Sequence, residues 1–295
     1  MHGNVVTAVF LPIALGIIML GLGLSLSIAD FRRVIAYPRA IAVGLVCQTL
    51  ILPAICFAIA KVFALPPELA VGLMLLAASP GGATANLFSH LARGDVALNI
   101  TLTATNSIVS LLTLPFIVSA ALAHFMSDGR AIPIQPDKVI QVFAVVLVPV
   151  AIGMLVRARK ESAAVRLERP VRALSAVFLV LIILAALAKE RAHVGSYFAQ
   201  VGLPALAFNL ASLSVGYFVP RLLKLPKRQA IAIGMEIGIH NGTLAIAIAT
   251  TVLAHDVMAI PPAIYSIIMF FTAAAFGVFV QRGEPVADAP ATTPA

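Results

Sequence analysis

Long apolar stretches dominate this chain from one end to the other. Runs such as Val5–Ile28 and Val139–Val156 are apolar on every face and are close to the roughly 20 residues that an α-helix needs to cross a bilayer. Strands of membrane barrels instead alternate polar and apolar side chains over short segments. Charged residues, Pro and Gly delimit nine candidate spans, near residues 5–28, 39–60, 69–91, 96–124, 139–156, 173–188, 198–220, 229–254 and 259–281. The pattern predicts an all-α polytopic membrane protein embedded in the lipid bilayer.

The distribution of charge predicts how the chain is oriented. Only 11% of the residues are charged, and the net charge is +8. Of the twenty Lys and Arg residues, fifteen fall in one alternating set of loops and five in the other. Because cytoplasmic loops are enriched in Lys and Arg, the N-terminus is expected outside and the C-terminus in the cytoplasm. The excess charge therefore requires no nucleic acid partner. We expect one transmembrane domain over residues 1–282 and a disordered cytoplasmic tail over 283–295, which has no apolar face to bury.

An internal repeat links two of the spans. Leu65-Pro66 precedes the third span and Leu225-Pro226 precedes the eighth, and the same offset in residue number places Pro80-Gly81-Gly82 opposite His240-Asn241-Gly242. Five spans separate the two segments, so they have opposite orientations and the repeat is inverted. Inverted repeats with interrupted helices are typical of secondary transporters, whose sites lie at the interruptions. The predicted helix-break residues are Pro80, Gly81, Gly82, Gly238 and Gly242.

Glu236 lies well inside the eighth apolar span. An ionised group at the bilayer centre costs about 3 kcal/mol or more, so such a residue normally faces a partner, a cavity or an ion. Neutral oxygen donors occur in the spans that would surround it, namely Gln48, Ser79, Thr84, Asn86, Asn99, Thr103, Asn106, Asn241 and Thr243. One carboxylate with neutral oxygens is the ligand set that a hard monovalent cation such as sodium prefers.

Each of these residues also has a structural interpretation. Thr and Ser in membrane helices commonly hydrogen bond to their own helix, and Asn or Gln can join neighbouring helices. Glu236 could be a protonated acid bonded to a carbonyl. His240 could be a neutral core residue, a neighbour of an ion site or a proton acceptor.

Three motifs resemble those of the bile acid:sodium symporter family. They are Ser79-Pro-Gly-Gly-Ala-Thr-Ala-Asn86, Leu91-Ala-Arg-Gly-Asp-Val-Ala-Leu98 and Glu236-Ile-Gly-Ile-His-Asn241, and the resemblance extends over nearly the whole chain. It implies a bacterial inner-membrane member in a nine-helix form that functions as a monomer, with two crossed discontinuous helices in an inverted-repeat transporter fold. Core helices would lie near 39–124 and 198–281, and panel helices near 5–28 and 139–188.

The resemblance further implies sodium-coupled uptake of an organic anion by alternating access. The first sodium site would use Asn86, Asn99, Thr103 and Glu236 with a main-chain contribution at Ala85. The second would use Gln48, Glu236, His240 and the carbonyls of Ile237 and Ile239. Thr84 and Asn241 would meet the substrate. Ala85 and Asn99 stand where better-known members have Ser, and His240 stands where they have Gln.

Substrate and coupling are open at this point. The ninth span contains Tyr265-Ser-Ile-Ile-Met-Phe-Phe271, with Met and Phe where some bacterial members have polar residues that touch bile acid. The anion could be bile-acid-like or a smaller carboxylate resembling pantoate or a keto acid. A proton-coupled carrier or antiporter using Glu236 and His240 is the alternative. An enzyme is disfavoured, because the sequence has no second buried acid and no metal-spaced His/Cys cluster.

Overall fold

The computed structural model describes residues 11–82, 84–126, 136–168 and 194–282, together with six positions between 169 and 193. Its helices are α1 (Leu11–Ser25), α2 (Ile28–Arg32), α3 (Pro38–Val46), α4 (Leu52–Val62), α5 (Pro67–Ala78), α6 (Thr84–Leu91), α7 (Val96–Phe125), α8 (Pro136–Arg159), α9 (Val194–Leu222), α10 (Lys227–Gly238), α11 (Gly242–Thr251) and α12 (Ile260–Gln281). A π-helix, Cys47–Ile51, joins α3 to α4, and residues 161–168 are also helical. The described residues form no strand.

Four helical segments are long and apolar enough to cross a membrane. They are Pro38–Val62, Val96–Phe125, Gly195–Leu222 and Asp256–Gln281. The apolar helices Pro67–Ala78 and Gly242–Thr251 are shorter, because the third and eighth predicted spans are each interrupted. These helices confirm the prediction of an all-α polytopic membrane protein. Most of the sixth predicted span and the tail after residue 282 lie outside the described residues, so the count of nine spans stays a prediction.

The two interruptions meet each other. The main-chain N–H of Gly82 donates to the carbonyl of Ile239 at 2.7 Å, and the N–H of Asn241 donates to the carbonyl of Pro80 at 2.8 Å. These bonds form an isolated antiparallel bridge between Gly81 and His240. Main-chain groups released at the helix ends need partners inside a membrane protein, and here each interruption supplies partners for the other.

The segments that lead into the interruptions have matching backbones. Helices α5 and α10 both run for 12 residues, from 67 to 78 and from 227 to 238, and are related by the offset of the Leu-Pro pairs. Pro66 (φ −50°, ψ 144°) and Pro226 (φ −53°, ψ 145°) precede them in the same conformation. Ala64 and Lys224, which are related by the same offset, both have positive φ, at 47° and 61°. The repeat that the Leu-Pro pairs indicated therefore also includes the preceding turns and the helix lengths.

Small residues allow close helix crossings around this centre. A Cβ atom at Gly216 would overlap the main chain of Gly234, where α9 crosses α10, and a Cβ at Gly23 would overlap the main chain of Val150, where α1 crosses α8. Close approach through small residues is the usual way in which membrane helices pack. Helix α5 is buried from Leu69 to Ala78, so the first interruption lies deep in the protein.

Candidate functional site

Glu236 lies in the last turns of α10 and is completely buried. Its Oε2 accepts a hydrogen bond from Thr103 Oγ1 of α7 at 2.6 Å, whereas its Oε1 has no partner among the described residues. The main chain of Gly81 packs against the carboxylate so closely that a Cβ atom there would overlap it. The carboxylate is therefore held between α7 and the first interruption, with one oxygen left for another ligand.

Two amide oxygens lie on helices that adjoin Glu236 or follow the first interruption. Asn99 lies one turn before Thr103 on α7 and donates through Nδ2 to the carbonyl of Ala232 at 2.7 Å. The same Thr103 hydroxyl lies 3.0 Å from the carbonyl of Asn99. Asn99 Oδ1, like Asn86 Oδ1 on α6, is buried with no donor in the described part of the chain. A buried acceptor without a donor is costly, so each of these oxygens needs a partner such as a water hydrogen or a cation.

The remaining residue of the predicted first site is Ala85. It is fully buried in α6, and its N–H donates to the carbonyl of Gly82 at 2.9 Å. The described residues contain no group of three or more His, Cys, Asp or Glu side chains that could hold a metal. The ligands available at Glu236 are a carboxylate and neutral oxygens, which suit a hard cation and offer nothing that a softer metal prefers.

Gln48 of the predicted second site lies in the π-helix. Its Nε2 donates to the carbonyls of Ala77 at 3.1 Å and Ser79 at 2.9 Å. These two carbonyls lie where α5 ends. Its Oε1 is buried and lacks a donor within the described ranges. The π-helix widens one turn, and such bulges are frequent at functional sites. Gln48 thus anchors the first interruption and keeps one oxygen free.

His240 forms a chain of hydrogen bonds at the second interruption. Its Nδ1 lies 3.1 Å from the hydroxyl of Tyr265, and that hydroxyl donates to the carbonyl of Gly238 at 2.9 Å. The Tyr265 hydroxyl has one hydrogen, so while it donates to Gly238 it can only accept from Nδ1, and Nε2 of that neutral tautomer carries the lone pair. Nε2 is buried without a partner among the described residues. The network therefore favours the tautomer in which Nε2 is an unpaired acceptor.

Three residues of this network are absent from the predicted site. Asn209 Nδ2 donates to the same Gly238 carbonyl at 2.9 Å, and Thr272 donates to Asn209 Oδ1 at 2.5 Å. Together with Tyr265 they hold the end of α10. The offset of the internal repeat places Asn209 within one position of the equivalent of Gln48, so extending the repeat could have found it. No comparable signal in the sequence distinguishes Tyr265 or Thr272.

The other predicted residues lie at or next to the interruptions. Ile237 and Ile239 are fully buried, and the carbonyl of Ile239 already accepts the Gly82 bond. Thr84 is the exposed first residue of α6, whereas Asn241 caps α11 by accepting from the N–H of Leu244 at 3.0 Å. The predicted helix-break residues have these positions: Pro80, Gly81 and Gly82 lie between α5 and α6, Gly238 ends α10, and Gly242 begins α11.

Comparison with known proteins agrees with this architecture. The model of the Sodium Bile acid symporter family matches residues 12–197, which is more than half of the chain. The chain is 27% identical to the "Uncharacterized sodium-dependent transporter YocS" of Bacillus subtilis over 88% of its own length and 78% of that protein. It is 26% identical to the "Probable sodium/metabolite cotransporter BASS2, chloroplastic" of rice over 94% of its length, and 27% identical to BASS1 of Arabidopsis thaliana over 90%. It spans 65% of each of these two chloroplast proteins. The chain therefore belongs to the Sodium Bile acid symporter family, a family of sodium-dependent transporters.

Proposed function

We propose that this protein is a sodium-coupled symporter that imports a small organic anion by alternating access. The observation that carries the proposal is the set of buried oxygens beside the crossing of the interrupted helices. Glu236 Oε1, Asn99 Oδ1 and Asn86 Oδ1 all lack a partner among the described residues. Helix α7 and the first interruption contact the carboxylate of α10, and Asn86 lies on the helix that follows this interruption, so a cation bound by these residues would tie the elements together.

The first sodium site in this proposal consists of Asn86, Asn99, Thr103 and Glu236, with the main chain at Ala85. A monovalent cation at Glu236 Oε1 would offset the cost of an ionised carboxylate inside the membrane. Thr103 already orients the other carboxylate oxygen at 2.6 Å. The charge of the ion, rather than a proton, then stabilises the crossing.

A second sodium position would use Glu236, Gln48 and His240 with the carbonyls of Ile237 and Ile239. Gln48 Oε1 is unpaired within the described ranges, which supports its role as a ligand. His240 offers only the nitrogen Nε2, and a hard cation prefers an amide oxygen to an imidazole nitrogen. We therefore propose that the second position binds sodium more weakly than the first.

The matching segments around the interruptions support an inverted repeat. The two helix breaks are held together by two main-chain hydrogen bonds, whereas the turns and helix lengths before them match at the offset of the Leu-Pro pairs. In transporters built from inverted repeats, alternating access comes from rocking of one bundle about a fixed central site. We propose that the panel helices, α1 and α8 among them, move relative to the crossed helices.

The proposed substrate is an organic carboxylate that meets the helix N-termini following the interruptions. Thr84 begins α6 and Asn241 caps α11, and a helix N-terminus favours negative charge. The ring of Phe270 stacks on that of Phe88 of α6 with centroids 6.0 Å apart, so apolar surface adjoins these polar groups. The names of the rice and Arabidopsis relatives, "Probable sodium/metabolite cotransporter", support a metabolite as the substrate.

The decisive experiment measures thermal stability of the purified protein with a panel of organic anions, in sodium and in potassium. A ligand that binds only the folded state raises the apparent midpoint by mass action. We expect a shift from sodium alone and a larger one from sodium with the correct anion. The anion that shifts the midpoint is then used for uptake into proteoliposomes under a sodium gradient. Uptake that does not depend on sodium and is driven by a pH gradient would instead show that the protein is a proton-coupled carrier.

The proposed location is a bacterial inner membrane, with the N-terminus outside, the C-terminus in the cytoplasm and the monomer as the functional unit. The charge bias among loops supports this orientation. Fusion of a cytoplasm-active reporter to the C-terminus tests the orientation, because a silent reporter would contradict it. Light scattering of the detergent-solubilised protein tests whether it is a monomer.

A further inference from the structure

Helix α7 carries a straight stripe of polar residues that extends past the contact with Glu236. The stripe consists of Asn99, Thr103, Asn106 and Ser110, spaced by four, three and four residues. At 3.6 residues per turn these positions fall within an arc of about 60°. All four side chains are buried, with at most 7% of their surface exposed. They form one buried face of α7, along roughly 16 Å of its axis.

Ser and Thr side chains on the other faces of α7 donate hydrogen bonds to main-chain carbonyls of the same helix. The hydroxyl of Thr101 donates to the carbonyl of Ala97 at 2.9 Å, and that of Thr105 donates to the carbonyl of Thr101 at 2.8 Å. Ser107 donates to the carbonyl of Thr103 at 2.6 Å. This is the common behaviour of Ser and Thr in membrane helices, so these three hydroxyls require no further partner.

Asn106 and Ser110, the last two residues of the stripe, have no such hydrogen bond. Both amide atoms of Asn106 and the hydroxyl of Ser110 are buried without a hydrogen-bond partner in the described part of the chain. Asn106 lies about one turn after Thr103, whose hydroxyl donates to the carboxylate of Glu236. Buried polar groups in a folded protein are normally satisfied by protein, water or an ion. The unpaired groups therefore continue the first sodium site along the same face of α7.

The chemistry of these groups indicates what they would bind. Asn106 offers an acceptor oxygen and two donor hydrogens, and Ser110 offers one donor hydrogen and an acceptor oxygen. A bare cation uses only acceptors, whereas a cation that keeps part of its water shell presents both water hydrogens and water oxygens. The mixture of donors and acceptors therefore fits a partly hydrated monovalent cation.

We propose that Asn106 and Ser110 form a further cation position, the α7 position, that adjoins Glu236 and holds a partly hydrated sodium ion exchanging with the first site. This inference rests on the proposed sodium site at Glu236. It adds a binding position on α7 that is separate from Gln48 and His240. Ser107 provides a matched comparison, because it is a buried serine of the same helix whose hydroxyl is already bonded.

The test uses single cysteines and the silver ion, a thiol-reactive monovalent cation. Cys47 and Cys56 are the two cysteines of the chain and both are buried, so both are first replaced by alanine. Ser110→Cys and Ser107→Cys are then made separately in the full-length protein. Each purified variant is exposed to silver for increasing times, denatured and treated with a maleimide, and the remaining free thiol is counted by mass spectrometry.

We expect Ser110→Cys to lose its free thiol at least ~10-fold faster than Ser107→Cys, because only position 110 holds a monovalent cation beside the thiol, and a factor of 10 in occupancy is a difference of about 1.4 kcal/mol. Sodium should slow the reaction at position 110 and leave position 107 unchanged. Asn106→Cys should behave like Ser110→Cys and serves if the latter does not fold. Equal rates at positions 107 and 110, or no effect of sodium, would overturn the α7 position. The thermal shift of the unmodified protein with sodium is measured in parallel, and its absence would overturn the first site instead.

Discussion

The two interrupted helices share a backbone design but differ in chemistry. Helix α5, before the first interruption, is buried and apolar from Leu69 to Ala78. Helix α10, before the second interruption, carries Glu236 and is followed closely by His240. The carbonyls at the end of α5 are satisfied by Gln48, whereas the carbonyl of Gly238 at the end of α10 accepts from both Asn209 and Tyr265.

This difference shows how a repeated backbone supports an asymmetric site. The first interruption contributes main-chain surface, because Gly81 lies against the carboxylate with no side chain of its own. The second contributes the charge. A carboxylate on both helices would place two like charges at one crossing, which disfavours ionisation of both. One acid opposite one glycine leaves a single negative site, which one cation can neutralise.

The largest expected effect on the affinity for sodium comes from removing the carboxylate of α10. Glu236→Gln should lower the affinity for sodium by ~10- to 100-fold, because a charge-assisted ligand contributes roughly 1.5–3 kcal/mol. Sodium-dependent thermal stabilisation measures this affinity. The matched control is Glu68→Gln, the same change in the first turn of α5, which should leave the sodium response unaltered. An equal loss in both variants would contradict the asymmetry.

A smaller effect is expected from filling the space that the first interruption leaves open. Gly81→Ala should weaken sodium binding by ~10-fold, since overpacking a tight site costs about 1–3 kcal/mol and the new methyl group would displace the carboxylate. Gly82→Ala is the control, because a Cβ there comes no closer than 3.4 Å to the carbonyl oxygen of His240. Sodium titrations followed by thermal unfolding distinguish the two, and equal affinities would show that Gly81 does not position Glu236.

The amides that anchor the interruptions should differ in their importance for stability. Gln48→Leu leaves two carbonyls without their donor and should destabilise the protein by about 2 kcal/mol. Asn209→Leu should cost about 1 kcal/mol, because Tyr265 still donates to the Gly238 carbonyl at 2.9 Å. The denaturation midpoints of the two variants in detergent show which substitution destabilises the protein more. The reverse order would mean that the second interruption depends on Asn209 more than its shared acceptor indicates.

The smallest effect concerns the second sodium position. His240→Gln replaces the unpaired nitrogen by an amide oxygen and should steepen the sodium dependence while changing its midpoint by ~3-fold, less than the value of one hydrogen bond. Tyr265→Phe is the control, since it removes the partner of Nδ1 but introduces no oxygen ligand near the ring. An unchanged slope in His240→Gln would argue against any ion at this position.

Sequence patterns predicted the elements of the fold better than the contacts of the site. Apolar runs indicated the helical class, and the Leu-Pro repeat indicated the offset that relates α5 to α10. The contact of Thr103 with Glu236 brings together two residues that were predicted in one site. Tyr265 and Thr272 were missed, because their role depends on which carbonyl they face rather than on a motif. Asn106 is one of the neutral oxygen donors that the sequence predicts around Glu236, but its unpaired state is visible only once its neighbours are placed.

The sequence by itself determined that this protein lies in a lipid bilayer and is helical, because both follow from local composition and from the length of apolar runs. It also determined that a carboxylate in an apolar span is costly. It also determined where helices cannot continue, because Pro and closely spaced Gly act on the chain locally. Only the tertiary structure decided which oxygens are left unpaired beside Glu236, and which hydroxyl faces the ring of His240. Those outcomes depend on hydrogen bonds between residues such as Thr103 and Glu236, which lie 133 positions apart, and local pattern cannot encode the distance between them.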